Sequence, residues 1–259
     1  MMDSGLDAAH RPGMTREEAN MSDISQVKAL VFDVFGTVVD WRTSLINDFT
    51  AWGEKRGIKA DWTALVDGWR GVYVASMDEV RKHPERGYVI LDVLHRRSLE
   101  KLVEQLGISG LNDADLHHLT MGWHRLHAWP DSVGGLTRLK TKYIISPLSN
   151  GNVALLTEMA KFARLPWDLV MSAELFAHYK PDPETYLGAA RLLCLPPEQV
   201  MMVAAHNNDL KAAQSHGLKT AFVARPTEYG PLQKYDFEAN GDWDIVSGDF
   251  GELASRMGC

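Results

Sequence analysis

Ala29-Leu30-Val31-Phe32-Asp33-Val34-Phe35-Gly36-Thr37-Val38-Val39-Asp40 is the stretch from which the fold is read. Its first four residues form an unbroken apolar run of good strand formers. That is the pattern of a strand buried on both faces of a parallel sheet. Asp33 falls where the strand should end, and Gly36 lets the chain turn sharply just after it. In open α/β sheets ligands bind outside the carboxyl ends of the strands, so Asp33 is placed either for chemistry or as the cap of a turn.

Outward from this strand, taken as Val27 to Phe32, the chain turns helical. Ser44 to Arg56 carries Leu45, Ile46, Phe49 and Trp52 at helical spacing, and Asp61 to Met77 carries Trp62, Leu65, Val66, Trp69 and Val72. Val89 to Leu106 is a further helix, which Gly107 would end, and Asp113 to Leu126 is another. No convincing strand falls between the forties and Trp129. Strands then alternate with helices. Tyr143 to Leu148, Asp168 to Met171, Val200 to Val203 and Lys219 to Val223 are strands, with Trp243 to Val246 as an edge strand. Val153 to Ala163, Asp182 to Leu193 and Asp209 to His216 are the helices between them. This alternation predicts a doubly wound parallel α/β sheet. The expected division is a core of residues 24–42 and 130–259, a helical cap over 43–129, and a polar, disordered leader over 1–23.

Composition excludes several functions. Of the 259 residues 45% are hydrophobic and 24% charged, and the net charge is −7. That balance suits a globular protein and offers no basic face for nucleic acid. No apolar run is long enough to span a membrane. Two cysteines, Cys194 and Cys259, make no disulfide framework, so a reducing cytoplasm is expected. Trp52, Trp62, Trp69, Trp123 and Trp129 give the cap a large aromatic share. Either they form an apolar patch for a homodimer, which is the expectation here, or they build the cap's own core.

Asp33-Val34-Phe35-Gly36-Thr37-Val38 resembles the first motif of the haloacid dehalogenase superfamily: a nucleophilic Asp, two residues, Gly-Thr, then an apolar residue. Ser149-Asn150-Gly151 is similar to the second motif and Lys180-Pro181-Asp182-Pro183 to the third. Val203-Ala204-Ala205-His206-Asn207-Asn208-Asp209 sits where the acidic fourth motif belongs. Order, spacing and strand-end placement agree in all four. The resemblance implies a Rossmann-like core with a cap inserted after the first strand, and hydrolysis through a covalent aspartyl intermediate.

Two departures narrow the chemistry. The superfamily's phosphatases place a second Asp, a proton donor, where this chain has Phe35, and a metal-binding Asp where it has Ala205. Phosphoryl transfer leans on Mg²⁺ to neutralise charge. A departing halide needs no proton, and a single carboxylate can be held by N–H groups without a metal. The pattern therefore resembles the type II 2-haloacid dehalogenases. By that resemblance a small halogenated carboxylate is the substrate, halide leaves, and no metal or other cofactor takes part. The alternatives are a phosphatase with an unusual acid and a non-catalytic binding protein.

The resemblance also implies roles. Asp33 attacks the α-carbon, Lys180 keeps Asp33 ionised, Thr37 holds its rotamer, and Asp209 orients or activates the water. Ser149 and the backbone N–H groups near Val34 and Phe35 cradle the carboxylate. Asn150 and Arg70 face the halide, and Tyr186 lines the substrate site. The alternatives are a surface salt bridge for Arg70, a solvated lysine for Lys180 and a helix-packing ring for Tyr186. His206 replaces an Asn of better-known members; it holds a water, the substrate or Asp33, or is a neutral structural histidine.

Overall fold

This computed structural model describes residues 24–259, so the expected leader lies outside the described residues. Ala29–Phe32 (β1) has all four residues fully buried, as its apolar run requires. It pairs in parallel with Ile144–Ser149 (β4) on one side and Val200–Ala204 (β6) on the other. Lys219–Val223 (β7) and Ile245–Ser247 (β8) extend the sheet past β6, and Met171–Ser172 (β5) lies outside β4. The order is β5-β4-β1-β6-β7-β8, all parallel. The carboxyl ends of β1, β4 and β6 therefore lie side by side, and Asp33, Asn150 and Ala205 directly follow them.

The outermost strand is shorter than its apolar pattern predicts. Over the expected Asp168–Met171, only Met171 pairs. The Asp168 carboxylate accepts the Ile145 N–H (2.9 Å) while the Asp168 N–H bonds the Ile145 carbonyl (3.0 Å), so a side chain takes a ladder position. Helices at Ser132–Lys140 and Phe250–Arg256 were not anticipated; they are short and pack on one another at one face of the sheet.

Between β1 and β4 the chain is helical. The helices are Trp41–Arg56, Trp62–Gly71, Tyr73–Lys82, Leu91–Gln105 and Asp113–Thr120. Asp40 and Asp61 cap the first two by accepting the N–H groups of Thr43 and Ala64. The single helix expected over Asp61–Met77 is broken after Gly71, a poor helix former, at Val72. The helix expected over Asp113–Leu126 tightens after Thr120 into a 3₁₀ turn over Met121–Arg125. A small antiparallel ribbon, Val39–Asp40 (β2) with His127–Ala128 (β3), ties the two ends of this segment together. Two-residue strands are too short to leave a periodic signature.

The aromatic residues of this segment turn inward. Trp62, Trp69 and Trp123 are buried, and Trp52 and Trp129 are half-buried. Trp123 stacks on His95 at 4.3 Å and meets Trp69 edge-on at 5.7 Å. These rings build an internal core rather than the surface patch from which a homodimer was expected.

His95 is buried among these rings, and its Nε2 has no hydrogen-bond partner among the described residues. Burial drives its pKa down to about 3; Asp92 opposes the shift, and Arg70 and His124 add to it. A histidine whose folded pKa is depressed loses stability as pH falls below its unfolded value near 6.5. Lowering the pH from 7 to 5 should therefore cost about 2 kcal/mol through this one group. Urea unfolding at both pH values should show that loss shrinking by this amount in His95→Gln. Equal losses in the two proteins would contradict a neutral, buried His95.

Candidate active site

Asp33 follows β1 directly, its N–H tied to the Val203 carbonyl of β6 (3.0 Å). The chain then reverses, with the N–H groups of Val38 and Val39 returning to the Val34 carbonyl (2.9 and 3.1 Å). Gly36 has φ +89°, and a Cβ at that position would lie 2.1 Å from Glu228 Oε1. Only glycine satisfies both the left-handed backbone and the close approach of Glu228.

The two oxygens of Asp33 have different partners. Oδ1 accepts from Lys180 Nζ at 3.0 Å. Oδ2 accepts from Thr37 Oγ1 at 2.7 Å and lies 3.0 Å from His206 Nδ1. The Thr37 hydroxyl itself accepts the Ala205 N–H (2.9 Å), which aims its proton at Asp33. Burial alone would raise the Asp33 pKa. Lys180, His206 and Thr37 outweigh it and hold the carboxyl well below the usual range.

Lys180 also bonds Asp209 Oδ2, and its backbone N–H is held by Asn150 Oδ1 at 2.8 Å. One ammonium thus bridges two carboxylates that respond in opposite directions. The Asp209 pKa is raised, first by burial and then by the charge of Asp33, with Lys180 opposing. Such a pair separates an ionised nucleophile from a group able to take up a proton. Tyr186 donates its hydroxyl to Asp209 Oδ1 at 2.6 Å and is fully buried. It joins the site as the support of Asp209.

Of the roles open to His206, the structure shows the contact with Asp33. Its Nδ1 faces Asp33 and its Nε2 lies 2.8 Å from Glu228 Oε2. Ionised carboxylates offer only lone pairs, and Asp33 and Glu228 are both held below their ordinary pKa, so both ring nitrogens carry hydrogen. Burial opposes the charge, but Glu228 and Asp33 prevail and raise the His206 pKa well above its ordinary value. Glu228, 1% exposed, also accepts from Trp41 Nε1 (2.9 Å) and lies 3.7 Å from Arg70 Nη2.

Arg70 lies inside the protein rather than in a surface salt bridge. Its guanidinium is 4.5 Å from the Tyr73 ring centre and 5.3 Å from that of Trp41, and Nη1 is buried without a hydrogen-bond partner among the described residues. An arginine with one unused donor edge is a ready anion contact. Ser149, fully buried at the end of β4, accepts the Gly151 N–H (3.2 Å), and Asn150 follows it. Tyr73, Trp41 and Glu228 belong to this site but went unanticipated. Nothing in the sequence singles out Tyr73 or Trp41 among the aromatics, and Glu228 stands in a loop after β7.

These residues do not fit a divalent cation beside Asp33. Position 35 is a buried phenyl ring packed edge-on against Trp123 (5.6 Å) and Tyr73 (6.3 Å), and position 205 is a methyl group. The Oδ2 side of Asp33 is already taken by the Thr37 hydroxyl and the His206 ring, whose positive charge would repel a metal. Among the described residues no group of three or more His, Cys, Asp or Glu side chains is arranged to hold a metal ion. No helix among them is long and apolar enough to cross a membrane.

Residues 27–217 match the family model described as haloacid dehalogenase-like hydrolase. The chain is 27% identical over 220 residues to (S)-2-haloacid dehalogenase 1 of Pseudomonas sp. (strain CBS-3), covering 78% of this chain and 88% of that one. Two solved structures are nearer. One, an L-2-haloacid dehalogenase, is 50% identical with TM-score 0.87, covering 90% of this chain and 99% of its own. The other, a defluorinating L-2-haloacid dehalogenase, is 44% identical with TM-score 0.87, covering 90% and 96%.

Proposed function

We propose, from the premise that this chain belongs to the haloacid dehalogenase-like hydrolases, that it hydrolyses a small (S)-2-haloacid to the 2-hydroxy acid and halide. The observation that carries this reading is the pairing of an ionised Asp33 with Lys180 where Phe35 and Ala205 remove the acid and the metal carboxylate of a phosphatase. A halide leaves without protonation, so an apolar Phe35 costs nothing. A phosphoester's alkoxide would lack its proton donor and the transferring phosphoryl group its neutralising cation.

In this reading an oxygen of Asp33 attacks the α-carbon in line with the carbon–halogen bond. The bond's electron pair leaves with the halide toward Arg70 and Asn150. Ser149 and the backbone N–H groups of Val34 and Phe35 hold the substrate carboxylate. Water, with Asp209 accepting its proton, then adds to the ester carbon and frees the hydroxy acid. This is covalent catalysis, one difficult displacement split into two easier steps. No metal takes part, and a cytoplasmic location completes the reading. A homodimer belongs to the same reading; light scattering at micromolar concentrations should give a dimeric mass, and a monomeric mass would count against it.

Halide release from chloroacetate, bromoacetate and both enantiomers of 2-chloropropionate tests the proposal. The (S) enantiomer should be consumed at a rate indifferent to EDTA. Loss of activity on chelation, restored by Mg²⁺, would overturn it, as would turnover of p-nitrophenyl phosphate in place of the haloacids.

A further inference from the structure

His206 has no role in the reaction as proposed so far, yet it touches the reacting carboxylate. Both lone pairs of Asp33 Oδ2 are occupied, by Thr37 Oγ1 and by His206 Nδ1. Among the described residues Oδ1 accepts from Lys180 alone, which leaves its second lone pair for a substrate. The two oxygens are therefore unequal before any substrate arrives. We propose that Oδ1 is the oxygen alkylated and that His206, clamped by Glu228, acts with Thr37 as the oxyanion hole for hydrolysis of the resulting ester at Oδ2. The inference rests on the hydrolytic reading above.

The electron bookkeeping follows from this assignment. The free pair of Oδ1 forms the bond to the substrate α-carbon, and the halide departs with the pair of the broken bond. Oδ2 is then the carbonyl oxygen of the ester. Water adds to Cγ and gives one proton to Asp209, while the carbonyl π pair moves onto Oδ2. That developing charge meets the His206 N–H and the Thr37 O–H already in place. Collapse breaks the Cγ–Oδ1 bond, and Oδ1 leaves as the alkoxide of the hydroxy acid. Lys180, which neighbours Oδ1, protonates it and regains a proton from Asp209, to which it is bonded. The new Asp33 carboxyl, carrying the water's oxygen, loses its remaining proton to solvent.

A doubly protonated imidazole suits this task. Its charge offers little help to the first step, where it draws electron density from the nucleophile. It favours the second, where negative charge grows on the very atom it touches. Glu228 supplies what the ring needs to stay charged and oriented: a buried carboxylate, 1% exposed, held in turn by Trp41. Gly36 is the device that admits Glu228 to this position. His206 is thus a catalytic residue and Glu228 its positioning residue.

Rapid-quench single turnover of (S)-2-chloropropionate, read by chloride release and by intact-protein mass, separates the two steps. His206→Ala should release about one chloride per enzyme at a rate within about tenfold of the unaltered protein. It should then turn over about 100-fold more slowly, as loss of an oxyanion donor does. Its mass should show the propionate ester accumulating. His206→Asn, which keeps an N–H donor, should recover part of the second step. Glu228→Gln should accumulate the same ester, an outcome that general loosening of the fold would not give, and it decides the matter if His206→Ala does not fold. Both steps slowing together without an ester, or neither slowing, would overturn the inference. Slowing of the first step alone in Glu228→Gln would assign Glu228 to Arg70 and remove its role here. If the unaltered protein releases no chloride, the proposed function fails instead.

Discussion

Asp33→Asn should lower halide release by at least about 10⁴-fold, the scale on which loss of a covalent nucleophile is felt. The amide fills nearly the same volume but has no anionic oxygen to displace a halide. The fold should survive the change, because the partners of Asp33 keep others. Lys180 retains Asp209, and His206 retains Glu228. The change should also be read in stability against pH. A carboxyl held below its ordinary pKa contributes stability above the unfolded value, near 3.8, and that stability is lost as pH falls through the folded value. Asp33→Asn should therefore narrow its deficit against the parent below pH 4. Chloride release and circular dichroism on the same preparations test both parts. Residual activity within tenfold of the parent would remove Asp33 as nucleophile.

Lys180→Met should show the second largest effect. Without the ammonium, Asp33 and Asp209 face each other with no cation between them. One must take up a proton, and each buried carboxylate pushes the other's pKa upward. Activity should fall roughly 10²–10³-fold, the range seen when a fixed electrostatic partner is lost. The acidic limb of the kcat/KM profile should move to higher pH, because Asp33 and Asp209 would then be ionised together only there. Stability should fall by about 3 kcal/mol or more, since one partner of a buried ion pair is gone. An acidic limb that does not move would show that Lys180 does not set the charge of the Asp33–Asp209 pair.

Asp33, Ser149 and Asp209 were legible in the sequence because each stands at or soon after the end of an apolar strand run, whereas Lys180 was named only through the resemblance of Lys180-Pro181-Asp182-Pro183 to the family's third motif. Apolar runs mark β1, β4 and β6, and the residues just past such strands are the ones a parallel sheet gathers at one edge. Arg70 was named through the resemblance of Trp69-Arg70 to the family's cap arginine, but its setting was not legible: a guanidinium among Tyr73, Trp41 and Glu228 draws on three separate segments. The state of His206 was hidden for the same reason. Nothing within its own loop tells whether the ring is charged; that is decided by Glu228, in a loop after β7, and by Asp33, 173 residues earlier in the chain. Tyr186 was found by its distance from Lys180, yet only the geometry shows its hydroxyl spent on Asp209. The tryptophans could equally have faced solvent or one another, and burial alone separates the two.

The covalent ester on Asp33 is the centre of this account, and solvent-oxygen labelling tests it most directly. With enzyme in excess over (S)-2-chloropropionate in ¹⁸O-water, a single turnover should place the label in the carboxylate of Asp33 and leave the hydroxy acid unlabelled. Further turnovers should then pass the label on to product. Label found in the hydroxy acid after that first turnover, with none in the protein, would mean that water attacks the α-carbon itself and that Asp33 acts only as a base.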